Sequence, residues 1–266
     1  MKGTVLTKVP RYYVDPLGIL CQGFRTHLIR RVKLSIVIPC YNEERTLEAL
    51  LQRVVNVDLG SVQKEILVVD DGSRDRSRDI ALTMVEKYPG LMRVLAQDEN
   101  RGKGAAIRRG FQEATGDLVV IQDADLEYDP RDFQQMAALF RLPQVDVVFG
   151  SRRLLKNPVS SRLYYSGAPL VAALTYALYG ARISDQFTCY KMLRRELLTR
   201  IPLKTSGFAI DAELIAKLFR LGVRIREVPI TYRPRNRAEG KKVRLRDGFQ
   251  WMWLLLKYRV LPSDQW

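Results

Sequence analysis

Short runs of aliphatic and β-branched residues alternate with helix-like segments over the first part of the chain. The runs cover 34–38, 65–69, 93–96, 118–122 and 146–149, and a later one covers 225–232. Between the first two runs, Leu47, Leu50, Leu51 and Val54 recur at helical spacing. Strands that alternate with helices at intervals of roughly thirty residues form βαβ units, in which the strands are parallel. The sequence therefore predicts an α/β fold, a mostly parallel Rossmann-like sheet with helices on both faces.

Polar loops follow four of the predicted strands at their carboxyl ends. Their sequences are PCYNE at 39–43, DDGS at 70–73, DENRGKG at 98–104 and DADLE at 123–127. In open α/β sheets, ligands bind in the crevice outside the carboxyl ends of the strands. We expect the four loops to converge on one such crevice.

The fourth loop is acidic, although the chain as a whole carries a net charge of +15. Asp129 precedes Pro130, a pattern typical of a helix start, and is assigned to capping. Asp123, Asp125 and Glu127 alternate and would share one face of an extended chain. Three such carboxylates repel one another unless a cation lies among them, and Mg²⁺ and Mn²⁺ prefer oxygen ligands. We predict that these three residues bind Mg²⁺ or Mn²⁺; the alternative is an acidic surface loop.

The second and third loops suit a nucleotide. Asp70 and Asp71 lie at a strand tip, where a carboxylate can accept hydrogen bonds from a nucleobase, although Asp, Gly and Ser also form turns. In 100–104, the glycines allow close backbone approach, Lys103 supplies a cation, and a helix N-terminus favours anions. The pattern is neither a Walker loop nor Gly-x-Gly-x-x-Gly, which disfavours a P-loop ATPase and a dinucleotide-binding protein.

The excess of 44 Lys and Arg residues over 29 Asp and Glu residues implies an anionic partner. A phosphorylated substrate and an anionic membrane surface both fit. Nucleic acid is not expected, because the acids cluster in the crevice and would repel a polyanion there.

Compartment and membrane contact are predicted from cysteine usage and hydropathy. Three widely spaced cysteines fit neither a disulfide framework nor a zinc site, so we expect a reducing, cytoplasmic setting. No secretory signal is recognised, and no apolar stretch reaches the ~20 residues of a membrane-spanning helix. The segment 251–256 (WMWLLL), followed by Lys257 and Arg259, is typical of an amphipathic helix at a membrane interface, and equally of a core helix.

Read in order, the loop motifs resemble those of family-two glycosyltransferases with the GT-A fold, specifically the dolichyl- and polyprenyl-phosphate sugar synthases. The motifs are IVIPCYNE (36–43), VVDDGS (68–73), NRGKG (100–104) and QDAD (122–125). The similarity continues through GSR (150–152), DQFTCYK (185–191), EVPITY (227–232) and EGKK (239–242). It implies three segments: a basic N-terminal extension at 1–33, a GT-A domain at 34–248, and a C-terminal amphipathic helix and tail at 249–266.

The resemblance also implies a nucleoside diphosphate sugar as donor, GDP-mannose or UDP-glucose. The residues expected to bind it are Pro39, Tyr41, Glu43, Asp70, Asp71, Lys103, Asp123 and Lys242. Asp123 and Asp125 would hold the metal on the diphosphate, with Asp125 essential for turnover. Relatives often carry glutamine at the position of Glu127 and glycine at that of Cys189, so this chain departs from the pattern at both positions.

The resemblance implies a polyprenyl or dolichyl phosphate as acceptor, bound by Arg152, Arg162 and Ser166. A phosphate monoester is largely dianionic at neutral pH and needs positioning cations, not a strong base. A sugar hydroxyl would need a base, for which Asp185 is the first candidate and Glu213 the second. We therefore predict a metal-dependent, inverting hexosyltransferase that binds peripherally to the cytosolic face of a membrane; the alternative is a soluble enzyme with a hydroxyl acceptor.

Overall fold

The computed structural model describes residues 32–158, 162–235 and 245–266, with the backbone alone for 162–168 and 245–247. The predicted basic extension at 1–33 lies almost entirely outside the described residues. The proposed boundary between 248 and 249 remains a prediction.

One seven-stranded sheet organises the described residues, in the order β3-β2-β1-β4-β6-β5-β7. The strands are β1 Lys33–Cys40, β2 Gln63–Asp70, β3 Met92–Ala96, β4 Leu118–Ile121, β5 Val147–Ser151, β6 Lys191–Arg194 and β7 Ile225–Pro229. β6 pairs antiparallel with both β4 and β5, and the other neighbours pair in parallel. The predicted mostly parallel sheet is confirmed.

Helices connect the strands and cover the sheet. They are α1 Leu47–Asn56, α2 Ser77–Lys87, α3 Lys103–Glu113, α4 Phe133–Leu139, α5 Arg162–Tyr179, α6 Leu197–Arg200, α7 Ile210–Arg220 and α8 Leu245–Val260. Two short 3-10 helices cover Pro130–Asp132 and Ser263–Gln265. Asp129 caps the first of these through its side chain, which accepts a hydrogen bond from the Arg131 amide, as predicted.

The central strands are apolar on both faces because helices cover both. From Leu34 to Cys40, every residue of β1 is buried. Close packing of α3 on β1 depends on Gly110, where an added Cβ would lie 2.3 Å from Cγ1 of Val37. The absence of a side chain at Gly110 thus lets α3 pack closely on β1 and β2.

The C-terminal helix α8 has two different faces. Trp251, Leu255 and Tyr258 are buried, and the helix contacts α7 and α5. On its other side, Phe249 is 71% and Trp253 62% exposed. The buried face fits the core-helix interpretation, and contact of the exposed face with a membrane stays a prediction. No helix in the described ranges is long and apolar enough to cross a membrane.

Candidate active site

The loops after β1, β2 and β3 are joined at the carboxyl edge of the sheet by Asp71. Its amide donates to the Cys40 carbonyl oxygen at 2.8 Å. Its carboxylate accepts hydrogen bonds from the amides of Arg101 (2.8 Å) and Gly102 (2.9 Å). Burial raises the pKa of Asp71, and these two amides partly oppose the shift. Asp71 thus holds the start of α3 beside β1 and β2.

Asp70, at the end of β2, has one carboxylate oxygen without a hydrogen-bond partner among the described residues. Oδ1 accepts a hydrogen bond from the Ser73 amide at 3.2 Å, whereas Oδ2 is buried and has no hydrogen-bond partner within the described residues. An unsatisfied buried acceptor is costly, and a bound donor group would remove that cost. Of the other predicted nucleoside residues, Pro39 is buried in β1 opposite Val69, and Tyr41 and Glu43 are half-buried just beyond it.

Asp123 is paired with Lys103 across the crevice. The Lys103 ammonium lies 2.5 Å from Oδ1 of Asp123. Burial by itself would raise the pKa of Asp123, but the adjacent ammonium outweighs it and lowers the pKa. Two residues predicted to bind the nucleotide sugar are thereby brought together.

Asp125 lies next to a cation that the sequence analysis did not single out. The Arg235 guanidinium contacts Oδ2 of Asp125 at 2.7 Å and Oε2 of Glu43 at 3.1 Å. Burial, followed by repulsion from Asp123 and Glu127, raises the pKa of Asp125 to about 7 despite Arg235. The acids of this loop therefore repel one another, as the sequence predicted, and the group favours additional positive charge.

Glu127 has both carboxylate oxygens engaged by the segment after β7. Oε1 accepts a hydrogen bond from the Arg235 amide at 2.7 Å, and Oε2 accepts one from the Tyr232 hydroxyl at 2.9 Å. The Glu127 amide in turn donates to Oδ1 of Asp125 at 3.0 Å, which closes a turn. The expected extended alternation of Asp123, Asp125 and Glu127 is therefore wrong, because β4 ends at Ile121 and the chain bends after it.

No cluster of three or more acidic, histidine or cysteine side chains forms a ready-made metal cage in the described part of the chain. Each acid of the loop instead faces a cation of the protein. Asp123 and Asp125 nevertheless suit a hard divalent ion, because they offer carboxylate oxygens and belong to a group of acids that repel one another. These two residues fit such an ion; Glu127 would have to give up a hydrogen bond to join them.

On the other side of β4, Arg152 and Asp185 form a buried ion pair. Nε and a terminal nitrogen of Arg152 contact the Asp185 carboxylate at 2.6 and 2.8 Å. Burial would raise the pKa of Asp185, but the Arg152 hydrogen bonds lower it. The Arg152 guanidinium also lies 4.9 Å from the centroid of the Tyr232 ring. So placed, Asp185 is a weak proton acceptor and orients Arg152.

Further candidates lie away from the acidic loop or outside the described residues. Arg162 begins α5, and Ser166 lies one turn later in the same helix. Lys242 lies outside the described residues. Glu213 is buried in the core, where it accepts hydrogen bonds from Lys217 at 2.7 Å and from the Tyr258 hydroxyl at 2.7 Å. That position does not fit the role of second-choice base.

The strand order, with β6 antiparallel beside β4, matches the GT-A fold of solved glycosyltransferase structures. The chain belongs to the glycosyl transferase family 2, whose sequence profile matches residues 35–201.

Known proteins similar to this chain include polyprenyl-phosphate sugar transferases. The dolichol-phosphate mannosyltransferase of Pyrococcus furiosus is 34% identical over 216 residues, 79% of this chain and 59% of that protein. The dolichyl-phosphate β-glucosyltransferase of Mus musculus is 30% identical over 242 residues, 79% of this chain and 69% of that protein. The chain therefore spans somewhat more than half to about two thirds of the length of these relatives.

A solved structure supports the fold. Glucosyl-3-phosphoglycerate synthase of Mycobacterium tuberculosis, in complex with Mn²⁺, uridine diphosphate and phosphoglyceric acid, matches with a TM-score of 0.66 and 25% identity. The match covers 87% of this chain and 80% of that one. The resemblance inferred from the loop motifs is confirmed.

Proposed function

We propose that the enzyme transfers a hexose, with inversion, from a nucleoside diphosphate sugar to a polyprenyl phosphate at the cytosolic face of a membrane. The observation that carries this proposal is the pairing of Lys103 with Asp123, next to Asp125 in the loop after β4, at the same edge of the sheet as the unpartnered Asp70 oxygen at the end of β2. GDP-mannose and UDP-glucose are the proposed donors, in keeping with the names of the mannosyl and glucosyl transferases among its relatives.

The proposed donor site divides into a nucleoside part and a diphosphate part. Asp70 has the unpartnered oxygen that a base or ribose donor would satisfy, and Asp71 shapes the loop around it. Asp123 and Asp125 would hold Mg²⁺ or Mn²⁺, which when bound stabilises the negative charge that develops on the departing diphosphate. Lys103, beside Asp123, adds a fixed positive charge at the same place.

The proposed acceptor site lies on the Arg152 side of β4. A guanidinium has more N–H donors than the two contacts with the Asp185 side chain use, so Arg152 can also bind a phosphate. Arg162 and Ser166 at the start of α5 are the proposed additional contacts. The ion pair lowers the basicity of Asp185, which favours an acceptor that arrives already ionised over one that must be deprotonated.

Membrane association is proposed from the exposed face of α8 and its neighbour α5. Phe249, Trp253 and Val260 on α8 and Leu170 on α5 are each more than half exposed. Large apolar patches on a soluble surface mark interaction sites, and aromatic residues with nearby cations such as Lys257 suit the headgroup region of an anionic membrane.

A hydroxyl-bearing or other soluble acceptor is the second candidate. The solved relative whose crystals contain phosphoglyceric acid favours it, since that acceptor is a small soluble molecule. Under this alternative, transfer would not require a lipid.

The two candidates are separated by measuring sugar transfer from radiolabelled GDP-mannose and UDP-glucose with Mn²⁺ present. Reactions contain polyprenyl phosphate, 3-phosphoglycerate or no acceptor, and an EDTA-treated sample serves as the metal control. We expect chelator-sensitive label in the organic phase with polyprenyl phosphate alone. Label that enters only the soluble acceptor would support the second candidate, and transfer that persists in EDTA would contradict the metal role.

A further inference from the structure

Arg235 lies in the middle of the acidic group at the β4 tip. Its guanidinium contacts Asp125 at 2.7 Å, Glu43 at 3.1 Å and Glu127 at 3.9 Å. The side chain is only 19% exposed, and its Nε is buried without a hydrogen-bond partner among the described residues. A half-buried cation among three carboxylates from two separate loops is a specific arrangement, unlike a basic residue on a solvated face.

The backbone that leads into Arg235 is held by hydrogen bonds at Thr231, Tyr232 and Arg233. The Thr231 amide donates to Asp132 at 2.9 Å, the Tyr232 amide to Oδ1 of Asn157 at 2.9 Å, and the Arg233 amide to the Glu127 carbonyl at 2.8 Å. Tyr128 and Tyr232 additionally form an isolated β-bridge. These contacts hold the segment against the acidic loop, so Arg235 is aimed at Asp125 by the fold.

The contact of Arg235 with Asp125 conflicts with a divalent ion on the same oxygen. The Arg235 nitrogen 2.7 Å from Oδ2 takes one acceptor position of that oxygen, and a Mg²⁺ ion at about 2.0–2.1 Å from the same oxygen would lie close enough to the guanidinium for the two cations to repel each other. Glu43 and Glu127 allow the guanidinium to stay neutralised after it leaves Asp125. Arg235 and the ion can therefore exchange at Asp125 without unfolding the segment.

We infer that Arg235 is a resident cation that competes with the divalent metal for Asp125 and partly offsets the negative charge of the acidic group until the metal arrives. The inference rests on the proposed metal role of Asp123 and Asp125. It makes Arg235 a positioning residue that sets metal affinity.

The inference is tested by titrating the full chain with Mn²⁺ in the absence of nucleotide. The electron paramagnetic resonance signal of the free ion reports how much Mn²⁺ is bound. We expect Arg235→Gln to bind Mn²⁺ about tenfold more tightly than the unsubstituted protein, since one competing positive charge is removed. Arg235→Lys keeps the charge without the planar fork and should fall between the two. Arg233→Gln, on the same segment but with an exposed side chain, is the matched control and should leave the affinity unchanged.

Unchanged or weaker Mn²⁺ binding in Arg235→Gln overturns the inference, as does equal tightening by Arg233→Gln. If circular dichroism shows that Arg235→Gln does not fold, Arg235→Lys becomes the test, because we still expect it to bind Mn²⁺ more tightly than the unsubstituted protein. Failure of the proposed function has a different signature: in that case no variant binds Mn²⁺ even when GDP or UDP is present, and the inference falls with it.

Discussion

The Lys103 ammonium lies 2.5 Å from an Asp123 carboxylate oxygen and thereby joins the start of α3 to the loop after β4. Because the two residues come from different parts of the chain, their pairing fixes the width of the crevice in which we propose that the diphosphate binds.

Replacing Lys103 with methionine should weaken binding of GDP or UDP by about ten- to a hundredfold. The substitution removes a fixed cation from the diphosphate site and leaves Asp123 without its partner. Calorimetry with each nucleotide in Mn²⁺ measures the effect, and Lys87→Met, on the exposed end of α2, is the control. An unchanged affinity in Lys103→Met would show that this cation does not face the diphosphate.

Asp125→Asn should lower kcat by at least about a hundredfold, because the amide is a poor ligand for Mg²⁺ or Mn²⁺ and the developing charge then lacks its counterion. Asp129→Asn serves as the matched control in the same loop, since Asp129 caps the 3-10 helix at Pro130–Asp132. We expect near-normal kcat there, as asparagine is also a good cap. Comparable losses in both variants would indicate general damage to the loop.

Arg162→Ala should raise the KM for polyprenyl phosphate about tenfold and leave the KM for the nucleotide sugar within about twofold, because the proposed contact is with the acceptor alone. Steady-state kinetics with each substrate varied in turn provide the comparison. Arg182→Ala, which removes a cation stacked on Tyr176, is the control. Equal effects on both substrates would argue against a separate acceptor site at α5.

Trp253→Glu should reduce sedimentation with anionic vesicles several-fold without unfolding the protein, because this side chain is 62% exposed on α8. Burial of an indole in the headgroup region is favourable, whereas a carboxylate there is repelled. The control is Leu82→Glu, which places the same charge on the exposed face of α2. Vesicle binding that is equally sensitive to both substitutions would mean that α8 is not the contact.

Glu65→Gln should destabilise the protein at neutral pH by a margin that shrinks in acid. Burial would raise the pKa of Glu65, but hydrogen bonds from Ser35 and Thr115 outweigh it and lower the pKa. A carboxylate with a lowered folded-state pKa contributes stability above its unfolded pKa and loses it as the pH falls through the folded value. Urea unfolding between pH 7 and pH 3 measures the free energy of unfolding of both proteins, and Glu86→Gln on the surface of α2 is the control. If the difference in this free energy between Glu65→Gln and the unsubstituted protein stays constant with pH, the role of the charge is contradicted.

The sequence was sufficient to predict the parallel strands and the loops at their tips, because strands covered on both faces are continuous apolar runs such as 34–38. β6 was not predicted, since Lys191–Arg194 is only four residues long and has a cation at each end. Its apolar signal is too short to distinguish from a loop.

The arrangement of charges within the site was harder to predict. Arg235 lies in a basic stretch that by composition resembles a solvated face, and only the fold shows that it reaches Asp125 and Glu43. Likewise, the turn closed by the Glu127 amide on Asp125 depends on a side-chain hydrogen bond that residue spacing does not specify. Pairings between distant segments are set by tertiary packing, which a single sequence does not display.

The central claim is that Asp123 and Asp125 hold a divalent ion on the diphosphate of a sugar nucleotide. The most direct measurement is anomalous diffraction at the manganese edge from crystals soaked with Mn²⁺ and either GDP or UDP. We predict one strong peak within coordination distance of Asp125, beside the diphosphate and with Arg235 withdrawn from Oδ2. A bound nucleotide with no manganese at Asp123 or Asp125, or manganese bound elsewhere, would contradict it.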